Sequence, residues 1–61
     1  MFNEQRRLIW YCVFYTTNDE PNVKKWTYVR AESSRDARNV AEMRLRERYI
    51  QIPSIIEIRA I

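Results

Sequence analysis

Cys12 is the only thiol in the chain, Asp19 and Glu20 are its only adjacent carboxylates, and no histidine accompanies either. A Ser or Cys nucleophile needs a general base beside the attacking atom, and a zinc centre needs nitrogen or sulfur ligands. The chain offers neither. It also has no glycine, so it lacks the close backbone approach on which phosphate-cradling loops depend. Asp19 and Glu20 stand in a run of turn formers, Asn18-Asp19-Glu20-Pro21-Asn22. There the two carboxyls share one polar environment, whereas acid–base catalysis works with contrasting ones. Cys12 lies among Tyr11, Val13 and Phe14, where a thiol is buried and inert, and a lone cysteine allows no internal disulfide. No catalytic site, cofactor or metal is expected. The chemistry left to this chain is binding.

The residue types suited to binding are plentiful. Nine of the eleven basic residues are Arg, and they outnumber the acids to give a net charge of +3. Guanidinium makes planar, bidentate contacts and stacks on rings, so a preference for Arg over Lys fits a contact surface. Aromatic residues make up 13% of the chain. The informative set is Tyr11, Tyr15, Trp26 and Tyr28 with Arg30 and Arg59. On one sheet face these would form a platform for a protein partner or for the stacked bases of a single-stranded nucleic acid. The same rings would also stabilise a small sheet through cross-strand pairs, or be buried against a second copy of the chain.

Those residues need elements to position them. Residues 1–5 are polar and expected to fray. Residues 6–17, RRLIWYCVFYTT, are dense in aromatic and β-branched types and read as a strand. The breaker run at 18–22 reads as a loop, and residues 23–32 as a second strand, closing an antiparallel hairpin. Ser33-Ser34-Arg35-Asp36 has the capping-box pattern. A helix is therefore expected from near Ser34 to about Arg48, with Ala37, Val40, Ala41 and Leu45 on its apolar side. Arg44 falls on that side too, its stem covering apolar surface while its head reaches out. The acids Asp36, Glu42 and Glu47 interrupt the helical arginines, which suits a solvated face with pairs such as Arg38–Glu42. Pro53 stops the helix, and residues 55–61 form a third strand.

The expected fold is one α+β domain over residues 1–61, ββαβ, with a three-stranded antiparallel sheet in order 2-1-3 and one helix on one face. Strand one belongs in the middle because both of its faces are apolar. Alternation places Trp10, Cys12, Phe14, Val29, Ala31, Ile56 and Ile58 under the helix. Tyr11, Val13 and Tyr15 then lie on the open face with Trp26, Tyr28, Arg30, Ile55, Glu57 and Arg59. A one-residue slip would exchange the two faces of strand one.

The stretch AESSRDARNVAE, residues 31–42, between an aromatic hairpin and a short Arg-bearing strand, resembles the T7-type phage inhibitors of bacterial RNA polymerase. It also resembles the wider ββαβ group that includes a ribosomal-protein domain. Ala37, Val40, Ala41 and Glu42 match the helix pattern of the inhibitors, and Arg59 matches the second arginine of an Arg-x-Arg pair on their last strand. Glu57 stands where they have the first, and this chain is net basic where they carry an acidic strip. The resemblance implies a non-enzymatic modulator of a bacterial host complex, RNA polymerase foremost, acting in the host cytoplasm. No run of residues is long and apolar enough to span a membrane, and no signal-peptide pattern opens the chain, so no membrane role is expected.

Overall fold

The computed structural model describes residues 7–61. The expected fraying of residues 1–5 and residue 6 lie outside the described residues; Arg7 and Leu8, expected in the first strand, precede it, since β1 begins at Ile9. Within them the order is β1 (Ile9–Thr17), β2 (Glu20–Ala31), α1 (Ser34–Arg48) and β3 (Ser54–Ala60). The three strands form one antiparallel sheet in the order β2-β1-β3, with α1 on one face. This is the expected small α+β domain with an open sheet. Among the described residues no helix is long and apolar enough to cross a membrane.

The helix begins where its cap dictates. Ser33 is extended, and its hydroxyl accepts from the Asp36 N–H at 3.2 Å, satisfying one of the donors a helix start leaves free. The Asp36 carboxylate returns to the N–H of Glu32 at 3.2 Å, one residue before the cap. At the far end the Tyr49 N–H closes on the Leu45 carbonyl at 2.9 Å, and Pro53 is buried beyond it. Ala37, Ala41 and Leu45 form the buried stripe. Two alanines in that stripe let the helix axis approach the sheet closely. Arg38 and Glu42 form no ion pair.

Two details differ from the expected layout. The hairpin turn is Asn18-Asp19 alone, and β2 starts at Glu20. Two-residue turns of the primed types need positive φ, which glycine supplies best. This chain has no glycine, and no described residue takes a positive φ. The mismatch is absorbed next to the turn, where β1 moves from Tyr15 to Thr17 while β2 runs from Lys25 to Glu20. Pro21 is tolerated there because β2 is an edge strand. The second detail is in β3, where Phe14 faces Glu57 but Tyr15 faces Ile55. Ile56 is the extra residue of a bulge. It is turned out and exposed, while Ile55 packs against the core, the reverse of the expected assignment.

The Ile61 N–H donates to the Trp10 carbonyl at 3.0 Å, which sets the phase of the ladder. Trp10, Cys12 and Phe14 direct their backbone groups to β3; Tyr11, Val13 and Tyr15 direct theirs to β2. Two consequences follow at the outer edges. The Tyr28 carbonyl points outward from β2, and the Ile58 and Ala60 backbone groups point outward from β3.

Candidate functional site

The side of the sheet away from α1 is the candidate contact surface. The core under the helix consists of Tyr11, Val13, Val29, Ala31, Ala37 and Ala41, with Val40, Ile55 and Ile58 packed against it. Tyr11 is 6% exposed and Tyr15 3%. The expected placing of both tyrosines on the open face is therefore corrected: strand one turns its other face outward. The cause is register. Directly opposed residues share a face, and Tyr11 lies opposite Val29. Val29 and Ala31 belong under the helix because their neighbours Tyr28 and Arg30 carry polar groups that would be costly to bury there. Tyr11 goes with Val29.

The open face accordingly has Trp10, Cys12 and Phe14 down its centre. On β2 they are flanked by Arg30, Tyr28 and Trp26, respectively, and on β3 Cys12 faces Arg59 while Phe14 faces Glu57. The three β1–β2 pairs are the non-hydrogen-bonded ones, in which side chains approach most closely. Trp10 and Tyr28 are each 50% exposed and Trp26 57%. Of the six residues expected to form the site, Trp26, Tyr28, Arg30 and Arg59 are brought together here, and Tyr11 and Tyr15 are not. Trp10, Phe14 and Lys24 join them instead. A five-residue loop after Thr17 would set Tyr11 opposite Val29, but the turn residues do not fix the loop length, and the turn that forms is Asn18-Asp19 with a register shift beside it.

Cations lie over the rings of this face. The Arg30 guanidinium is 5.6 Å from the Trp10 ring centre. Lys24 Nζ is 4.4 Å and the Arg59 guanidinium 5.6 Å from the Phe14 ring centre. At such exposed positions each contact contributes about 0.5–1 kcal/mol. Glu57 is the shared counter-charge. Its Oε2 accepts from Arg59 Nε at 3.0 Å and Nη2 at 2.5 Å, and its Oε1 lies 3.9 Å from Lys24 Nζ. Arg30 has no carboxylate partner among the described residues. Three cations against one carboxylate leave the patch positive. Cys12 is buried within it, beneath its neighbours.

The other polar clusters lie at the hairpin tip and in the segment after the helix. Asp19 is held below the usual carboxylate range, first by the nearby Thr17 side chain and next by its own backbone N–H. The Glu20 carboxylate, 2.6 Å from Lys25 Nζ, keeps that ammonium above its ordinary pKa. Asn18 Nδ2 donates to Gln51 Oε1, tying the hairpin tip to the segment after the helix. An open groove of about 430 Å³ lies between these two, with Arg48 and Tyr49 on its wall. No group of three or more His, Cys, Asp or Glu side chains able to hold a metal occurs among the described residues. No protein-family model matches the chain, and comparison with characterised proteins and with solved structures gives no significant match.

Proposed function

We propose that this chain is a non-enzymatic binding protein that presents its uncovered sheet face to a larger protein complex. In this reading it is a phage-type inhibitor or modulator acting in the bacterial host cytoplasm. The observation that supports it is the patch of Trp10, Trp26 and Tyr28, half exposed beside Arg30, which has no carboxylate partner among the described residues. Trp, Tyr and Arg are the residue types that dominate interface energetics, and exposed together they have no folding role proportionate to their size. The resemblance of residues 31–42 names RNA polymerase as the first target to try. Arg59 reaches a partner only by exchanging Glu57 for a partner carboxylate, or with Glu57 still attached. The test is binding of purified bacterial RNA polymerase to the wild type and to Trp26→Ala and Arg30→Ala. Each variant should stay folded, Arg30→Ala giving up only its contact with Trp10, about 0.5–1 kcal/mol, and each should bind at least about tenfold more weakly, the size expected of a residue worth ~1.4 kcal/mol or more. No binding by the wild type removes polymerase as the target.

A second reading, a single-stranded nucleic-acid-binding module, is favoured by one observation: the cations stacked on rings outnumber the acid on this face. Both tryptophans of the chain lie there, so its whole indole fluorescence reports on occupancy. Quenching by an oligonucleotide, with an affinity that falls as salt rises, supports this reading. An unchanged spectrum sets it aside.

A further inference from the structure

The two outer edges of the sheet are managed differently. Along β2 the outward Tyr28 carbonyl accepts from Arg44 Nη1 at 3.1 Å, and Pro21 and the irregular register disrupt the end of the edge next to the turn. Such devices prevent strand-to-strand association. The β3 edge has its bulge at Ile56, but from Glu57 to Ala60 it is regular. The outward N–H and C=O groups of Ile58 and Ala60 meet no partner among the described residues. They form an open template for another strand.

The sequence of that template is complementary to itself. In an antiparallel pairing centred on Ile58, Ile58 of one copy faces Ile58 of the other. Glu57 of one copy then faces Arg59 of the other, and Arg59 faces Glu57. The hydrogen-bond phase permits this register, because the Ile61-to-Trp10 bond turns the Ile58 backbone groups outward. Ile58 with Ile58 would be a hydrogen-bonded pair. Glu57 with Arg59 would be the closer, non-hydrogen-bonded pair, on the open face in both copies. Opposite charges set directly opposed stabilise such a pair, and a shift of register by two would oppose like charges or none. The Glu57–Arg59 ion pair within one chain has both side chains exposed and is easily exchanged across a seam.

We infer that the chain self-associates through antiparallel pairing of β3 edges, centred on Ile58, to give a two-fold dimer with a six-stranded sheet. This does not depend on the function proposed above. A second copy is the occupant because the charges of the edge complement their own reversed order. Face-to-face pairing of the open sides would instead set the surplus of Lys24, Arg30 and Arg59 against itself. The dimer would set the two aromatic faces side by side.

The seam is short, and an interface of less than about 1,000 Å² is weak, so sedimentation is to be followed up to about 500 μM chain. The wild type should pass with concentration from 7.5 kDa to twice that mass. Ala60→Pro removes an outward N–H that β1 does not use, so it should keep the fold and melting temperature and weaken dimerisation at least about tenfold. Arg59→Glu sets like charges across the seam and should weaken it similarly, and adding Glu57→Arg to that variant should restore it. A wild type that stays at 7.5 kDa throughout overturns the inference. So does a dimer whose affinity Arg59→Glu leaves unchanged.

Discussion

Arg44 of α1 donates from Nη1 to the backbone carbonyl of Tyr28 at 3.1 Å, so a helix side chain caps one outward carbonyl on the edge of β2. The contact accounts for a charged residue adjacent to Leu45 and one turn from Ala41, beside the alanine stripe. The stem covers apolar surface, and the head satisfies a carbonyl that no strand reaches.

Arg44→Ala should therefore lower unfolding free energy by about 1 kcal/mol, the value of an exposed charge-assisted bond plus lost stem packing. Arg38→Ala, at an exposed helix position with no ion-pair partner among the described residues, should change it by less than about 0.5 kcal/mol. Urea titration of the two variants gives the comparison. Equal effects would mean that the edge contact contributes nothing.

The two faces of β1 can be told apart by a pair of truncations. Tyr11→Ala removes a ring that is 6% exposed and should cost about 3 kcal/mol or more, enough to unfold a domain of this size. Trp10→Ala, from a position 50% exposed, should cost about 1 kcal/mol, mainly its contact with Arg30. Circular dichroism on both variants decides. The reverse order would mean that β1 is turned the other way.

The Tyr15 hydroxyl lies 3.2 Å from that of Tyr49, and the two rings meet edge to face with centroids 6.0 Å apart. Burial, then the bond to Tyr49, raises the Tyr15 pKa above its ordinary 10.0, with Arg48 opposing. The unfolded chain therefore loses this proton at a lower pH than the folded one. The stability tied to it is complete below pH 10.0 and falls as pH rises from there through the folded pKa. Tyr15→Phe, which has no such proton, should lose less stability over that range. Melting of both proteins at increasing pH measures the difference. Parallel curves would show that Tyr15 ionises equally easily in both states.

Much of the architecture could be read from local pattern. The Ser33-to-Asp36 box and the Pro53 stop mark the ends of a helix through short-range bonding and a fixed φ, neither of which needs the rest of the fold. The middle place of β1 followed from its two apolar faces, since only a central strand with one face under a helix has use for both. Trp26, Tyr28, Arg30 and Arg59 were placed on the open face because their partners in alternation, Val29, Ala31 and Ile58, are plainly core residues.

The phase of β1 was not available in the same way. Trp10, Cys12 and Phe14 are as apolar as Tyr11, Val13 and Tyr15, and a period of two has no preferred origin when both halves look alike. Pairing with β2 supplied the origin by setting Tyr11 against Val29. The bulge at Ile56 had the same character. Ile55 and Ile56 are identical side chains, and which of them enters the core depends on the strand they pair with, not on either residue. Cross-strand register is a relation between distant segments, and it took the folded sheet to show which aromatic row met the helix and which was left in water.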